Sequence, residues 1–300
     1  MAFRNIYVQT DAHIKVKNEQ LLIQNENGGH TVPLEDINSI CIESLRTSIT
    51  TYTLYKIIEH DIILYVCDSK HLPSGILIGT NNYSRQLKNL QMQFNISKPL
   101  LIRIWQEIVT VKVINQAKCM EELKNEKFTK LLEMTKGITS GDSKNVEAKA
   151  AAYYFKSIFG NDFNRNKECI ENAALNYGYS IVRGMIARTL IMYGFEPSLG
   201  IFHHNQVNNF NLADDFIECF RPVVDLYVIN TVDFRMKRLT PEEKQKIYNV
   251  MNCLVLIDGK KFNIQGAIEY MIKSYSTSMN KKENLIKLPY LIKLEEYRYA

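Results

Sequence analysis

The sequence predicts an α+β protein: a small N-terminal β-rich domain joined by a linker to a larger all-α C-terminal domain. Three observations predict it. Short β-branched and aromatic runs, broken by polar residues, fill the first quarter of the chain. Pro73–Tyr83 then gathers two glycines, a proline and two adjacent asparagines, a linker composition. Beyond it, apolar residues recur at helical spacing almost without interruption. The resulting division is 1–75 for the β-rich domain, 76–90 for the linker, 91–285 for the helical domain and 286–300 for a charged, loosely attached tail.

In chain order, Ile6–Val8, His13–Val16 and Leu21–Gln24 read as strands. Asn27-Gly28-Gly29 is a turn signal, followed by extended Thr31-Val32 and Ile37–Ile42. Ser48–His60 reads as a helix whose apolar face is Leu54, Ile57 and Ile58, and Ile62–Cys67 as a buried strand. Leu100–Leu132 has helical periodicity through Ile104, Ile108, Val111 and Val113, and Gly137–Asp142 breaks it. Val146–Phe159, Cys169–Tyr193, Leu212–Val232 and Pro241–Leu256 follow as helices, then an extended Lys260–Ile264 and a helical Gln265–Tyr275.

The chain has 300 residues, 46% hydrophobic and 23% charged, which excludes a disordered protein. Its net charge of +5 is unevenly placed. Residues 221–300 hold 14 Lys and Arg against 9 Asp and Glu, whereas residues 1–220 hold 23 of each. Such an excess fits a solvated basic face or a phosphate-binding surface, and charge alone favours the former. Six cysteines without a CxxC pair argue against a zinc ribbon or a disulfide framework and for a reducing cytoplasm. No signal peptide is evident, and the apolar runs are too short to span a bilayer.

The segment Gly200–Asp225, GIFHHNQVNNFNLADDFIECFRPVVD, concentrates the candidate chemistry. His203 and His204 precede Glu218 by 15 and 14 residues, and Asp215 lies three before it. Glu147 stands upstream in NVEAKAAAYYF. One carboxylate from each of two helices plus an imidazole is a workable cradle for a hard divalent cation. The plain alternatives are complete too. Glu147 near a helix start, capped by Asp142 or Ser143, is favoured by the helix dipole. Asp215 and Glu218, three apart, need only a neighbour such as Arg221 or Arg183 between them. Pro222 removes the N–H that would bond the Glu218 carbonyl and kinks the helix there, and strain beside an acidic pair suits a site. In NYGYSIVRGMIAR, Tyr177, Arg183 and Arg188 share a helix, where the arginines can meet phosphate or those carboxylates.

GIFHH, DFIE and FRPVVD, with NVEAKAAAYYF and LNYGYSIVRG upstream, resemble the CRISPR-associated spacer-acquisition integrases, the universal adaptation endonucleases of those systems. The likeness covers most of the chain, and its length and HHNQ loop resemble the form that accompanies single-protein RNA-guided effectors (type II). The resemblance implies a triad of Glu147, His203 and Glu218 holding Mg²⁺ or Mn²⁺, with His204 and Asp215 as support and Arg183, Arg188, Arg221 and Tyr177 near DNA. It implies attack of a fragment's 3′-hydroxyl on a phosphodiester of the repeat array. It further implies a homodimer, contacts through the β-rich domain, and a heterohexamer around a dimer of a small ferredoxin-like partner. Two rivals remain: a stand-alone branched-DNA endonuclease using water, and a non-catalytic DNA-binding scaffold.

Overall fold

The computed structural model describes residues 4–26, 28–69, 73–77, 79, 86–142, 145–236 and 238–296. The chain separates into two compact units, the first ending at residue 82 and the second beginning at 83.

In the first unit, β1 (Arg4–Val8), β5 (Ile37–Ile42), β7 (Ile63–Cys67) and β8 (Pro73–Leu77) form one sheet in the order β1-β5-β7-β8. The first three run parallel and β8 closes the edge antiparallel. A second sheet, β4-β3-β2-β6, holds β2 (His13–Lys17), β3 (Gln20–Asn25), β4 (Gly28–Pro33) and β6 (Ser48–Ile49). Strand β2 alternates exposed and buried residues, the mark of a sheet with one wet face. Strand β5 is buried throughout, as a central parallel strand should be. Helix α1 (Thr51–Glu59) is capped by the Thr50 hydroxyl, which accepts from Thr53 N. Ile57 of α1 joins Ile14, Leu21, Ile37, Ile40 and Leu64 in the core.

The described residues at the two ends of the segment expected as a linker belong to regular elements. Pro73–Leu77 pairs with β7, and α2 (Gln86–Asn95) is already helical. Residues 78 and 80–85 of that expectation, like Asn27 of the turn, lie outside the described residues.

The second unit is built on two long central helices, α3 (Lys98–Glu122) and α6 (Ile170–Met192). Both are buried on nearly all sides, and their apolar residues therefore show little one-sidedness. Around them pack α4 (Phe128–Thr135), α5 (Val146–Phe159), α7 (Asn211–Ile217), α8 (Arg221–Thr231), α9 (Pro241–Tyr248) and α10 (Ile264–Lys281). Gly178 of α6 permits one close approach. A Cβ there would stand 2.6 Å from Val224 Cγ1 of α8, so any side chain would push the helices apart.

Three expectations for this unit are corrected. Leu212–Val232 is two helices rather than one kinked helix, because Pro222 opens the first turn of α8 and cannot continue the ladder from α7. The unit is not all-α. Strands β9 (Cys253–Ile257), β10 (Lys260–Asn263) and β11 (Tyr290–Glu296) form an antiparallel sheet in the order β10-β9-β11. Finally, the tail is tied down over its described part. Asn115, inside α3, donates to Cys219 O at 2.8 Å and Pro289 O at 2.9 Å, and accepts from Leu291 N at 2.9 Å. That buried amide clamps β11 and the α7–α8 junction to the same point of α3. Among the described residues, no helix is long and apolar enough to cross a membrane.

Candidate active site

Helix α3 packs against α5, α7 and α8, so one stretch of it collects residues from all three. At that stretch stands Lys112, its side chain 8% exposed. Its Nζ donates to Glu147 Oε1 of α5 at 2.5 Å. It also forms an ion pair with Glu218 Oε2 at the α7–α8 junction. Glu218 Oε1 accepts from Arg221 Nε at 2.7 Å, and the Arg221 guanidinium lies 4.5 Å above the Tyr179 ring. Glu218 Oε2 is buried and its partner is the Lys112 ammonium.

The charges hold one another. Burial alone would raise the Glu218 carboxyl, but Arg221 and Lys112 overcome it and keep it down at about 2. Burial likewise opposes the charge on Lys112, and Glu218 and Glu147 outweigh it, raising the ammonium above its ordinary value. Glu147 is placed by its helix start. Asp142 accepts from Val146 N and Glu147 N, both at 2.9 Å, and caps α5 just ahead of it.

The histidine loop wraps a single carboxylate. Asp215, 0% exposed, accepts from Ile201 N at 2.5 Å and Phe202 N at 3.1 Å through Oδ2. Through Oδ1 it accepts from His203 N at 3.2 Å and meets the ring Nδ1 at 2.7 Å. A carboxylate at Nδ1 keeps the proton there and leaves the lone pair on Nε2. The hydrogen bond to Asp215 raises His203 above its ordinary value, against the effect of burial, and Glu218 adds to that rise. The wrap needs Gly200, because a Cβ would fall 2.1 Å from His203 O and 2.9 Å from Asp215 Oδ2. Trp105 of α3 backs the loop, stacked on Phe202 at 4.3 Å and edge-on to the His203 ring at 5.8 Å.

The asparagines that follow are a clasp. Asn211 donates to Ser198 O and Asn205 O, and its own oxygen accepts from Asn205 N. Arg183 donates to Asp214 at 2.6 and 3.0 Å and to Asn208 at 3.0 Å, tying the loop to α6.

Behind the site, Asp225 of α8 is buried and accepts from Tyr154 OH at 3.0 Å and from Tyr179 OH. Burial pushes its carboxyl up to about 6, against the pull of the two hydroxyls. A folded-state value above the unfolded one favours folding only while the group is protonated. That contribution is complete below about pH 4 and lost as pH rises through 6. Asp225→Asn keeps an acceptor without the charge. We expect it to raise Tm at pH 7.5, by up to roughly 3 kcal/mol of stability, and to lose that advantage at pH 4. Melts at the two pH values check this, and an equal gap at both would refute it.

The family model described as CRISPR associated protein Cas1 matches residues 6–261 of the chain. The chain belongs to the Cas1 family. It is 42% identical over 303 residues to the CRISPR-associated endonuclease Cas1 of Neisseria meningitidis serogroup C (strain 8013), with 100% of both chains covered. Among solved structures, a casposase bound to integration product superposes with a TM-score of 0.78 at 18% identity, over 95% of this chain and 92% of the other. A Cas6-RT-Cas1–Cas2 complex superposes at 0.71 and 18%, over 94% of this chain and 35% of that one. At such identity these two likenesses show the Cas1 fold alone. The resemblance read from GIFHH, DFIE and FRPVVD therefore holds.

Within this Cas1 fold the sequence-expected residues part company. Glu147 and Glu218 meet at one ammonium. His203 is held by Asp215, three residues before Glu218, whereas His204 is exposed and lines a cavity of about 570 Å³ with Phe94, Leu101 and Asn211. Among the described residues no three or more His, Cys, Asp or Glu side chains are placed to hold a metal ion, and Lys112 stands between the two glutamates. Tyr177 is 0% exposed, so the expected DNA contact is corrected to a core position. The guanidinium of Arg183 is committed to Asp214 and that of Arg221 to Glu218. Arg188 is half-buried and reaches Met185 Sδ at 3.8 Å. Sequence reasoning missed Lys112, Trp105 and Asn115. Only Lys112 carried a signal, as a lone charge in the apolar run Ile108–Ile114.

Proposed function

We propose that the protein is a metal-dependent DNA integrase and endonuclease of CRISPR adaptation. It joins the 3′-hydroxyl of a short DNA fragment to a phosphodiester of the repeat array. The observation that carries this is the convergence of Glu147 and Glu218 on one cationic group, beside an imidazole aimed by Asp215, in a chain of the Cas1 family.

The donor types suit a hard divalent cation: two carboxylates already meet at one positive charge, and His203, its Nδ1 held by Asp215, offers Nε2 when neutral. Glu147, His203 and Glu218 would hold Mg²⁺ or Mn²⁺, which supplies charge neutralisation at the phosphoryl oxygens and acidifies an oxygen nucleophile. The chain's own residues do the positioning. Arg221 keeps Glu218 ionised and Asp215 fixes the imidazole through Nδ1. Trp105, stacked on Phe202, packs edge-on against the imidazole. In the reaction the 3′-oxygen bonds to phosphorus, the repeat strand's bond to its own 3′-oxygen breaks, and the proton lost by the first oxygen is balanced by one gained by the second.

The assembly follows the family: a homodimer, with two such dimers around a dimer of a small ferredoxin-like partner, in the cytoplasm of a type II system. The excess of Lys and Arg after residue 220 supports DNA backbone binding. If it makes several phosphate contacts, affinity for duplex DNA falls by about 10³-fold or more between 50 and 200 mM salt.

The test is strand transfer of a labelled duplex into a repeat-containing plasmid, with the small partner and Mn²⁺. We expect joined product from a 3′-hydroxyl fragment and none from a 3′-deoxy fragment. Cleavage without joining, indifferent to the fragment's 3′ end, would make the protein a nuclease that uses water.

A further inference from the structure

Lys112 is the one residue of the cluster that the proposed chemistry does not use, and it occupies the middle of it. Its ammonium touches both carboxylates assigned to the cation, and its side chain is buried between helices. Rotamer freedom is small there, because Ile108, Val109, Val111 and Val113 on the same helix are fully packed. Glu147 and Glu218 with Lys112 and Arg221 already sum to zero charge. A divalent cation added to that set would leave a buried excess of two positive charges, which burial penalises heavily.

We propose that Lys112 is a built-in counter-ion that holds Glu147 and Glu218 together before a divalent cation binds, and that it withdraws from between them when one does. This rests on the metal reading given above. Withdrawal would run towards the more open Glu147 side. Glu218 is 7% exposed but Glu147 is 25% exposed, so the cluster opens towards Glu147. Two consequences follow. The metal-free protein is protected from the repulsion of two facing carboxylates. Metal affinity is set below what the donors alone would give, because every binding event must first break the ammonium's contacts with both carboxylates.

The experiment compares wild type with Lys112→Met, which keeps the length and apolar stem of the side chain and removes the charge. Two quantities are read: Tm in EDTA and in Mn²⁺, and Mn²⁺ affinity from the free-ion electron paramagnetic resonance signal, both without DNA. We expect Lys112→Met to lose about 5–10 °C of Tm in EDTA, since removing one partner of a buried pair leaves the other uncompensated. We expect Mn²⁺ to recover most of that loss and to bind at least about tenfold more tightly than to wild type. Lys112→Gln, which retains a polar head, should fall between the two. The double variant Lys112→Met, Glu147→Gln should regain Tm in EDTA, because one carboxylate no longer needs a partner. If Lys112→Met fails to fold in EDTA, its recovery by Mn²⁺ and the behaviour of the glutamine variant read the same effect.

Equal Mn²⁺ affinity in wild type and Lys112→Met, with a Tm loss that Mn²⁺ does not repair, would overturn the proposal and leave Lys112 a structural ion pair. Failure of both proteins to bind Mn²⁺ would overturn the metal reading itself, and the role of Lys112 with it.

Discussion

Glu147→Gln is expected to abolish strand transfer and to leave the protein folded. Glutamine keeps the size of the side chain and can still accept from Lys112 Nζ, so the packing of α5 on α3 survives. What it removes is one of the two negative charges that a cation would need. Glu147 is a quarter exposed, so its ion pair is partly screened, and the stability change is expected within about 1 kcal/mol. Activity should fall by about 10³-fold or more, which corresponds to roughly 4 kcal/mol of transition-state stabilisation. Matched thermal melts and joining assays make the comparison. Residual joining within about tenfold of wild type would return Glu147 to the role of a helix-start charge.

Asp215→Ala is the reverse case, costly to both fold and function. It leaves the N–H groups of Ile201, Phe202 and His203 without their acceptor inside a closed loop. At about 1–3 kcal/mol for each buried donor left unpaired, with partial relaxation, we expect a loss of roughly 3–5 kcal/mol. The imidazole also loses the contact that fixes its tautomer, and joining should drop by about 10–100-fold even in the folded fraction. Asp215→Asn retains one acceptor oxygen and should recover part of the stability but not the tautomer. A variant as stable as wild type would show that the loop holds its shape without Asp215.

The two predictions also mark what the sequence made legible. Helices α5 and α6 were readable to within a residue, since their boundaries carry strong local punctuation: Asp142 before α5, Gly160 after it. Strands β1 to β5 were readable from β-branched runs and turns. The break between α7 and α8 was half visible. Pro222 announced a disturbance, but whether a helix kinks or ends there depends on packing against α3 and α6. Strands β9 and β11 were missed for a long-range reason. CLVLI follows a helix directly, and its partner Tyr290–Glu296 lies beyond another helix, so nothing local distinguishes it from a buried helical turn.

For the site, the triad of Glu147, His203 and Glu218 was legible only through the family resemblance carried by GIFHH, DFIE and NVEAKAAAYYF, the residues alone leaving His203 and His204 open. The division of labour between Asp215 and Glu218 was not. Three apart on paper, they turn to different tasks because the α7–α8 junction falls between Ile217 and Arg221. Asp215 serves the loop and Glu218 serves Lys112 and Arg221. Lys112 lies 35 positions from Glu147 and 106 from Glu218. Only the packing of α3 against both of the other segments makes it part of the site. Tyr177 failed as a DNA contact for the same reason, since burial on a central helix cannot be told from exposure by residue type.

The central claim is that Glu147, His203 and Glu218 share one divalent cation. Anomalous diffraction from crystals grown with Mn²⁺ tests it most directly. The account predicts a single strong peak about 2.1 Å from an oxygen of Glu147, an oxygen of Glu218 and His203 Nε2, with Lys112 Nζ moved out from between the carboxylates. Saturating Mn²⁺ with no peak there, and Lys112 still bridging Glu147 and Glu218, would contradict it.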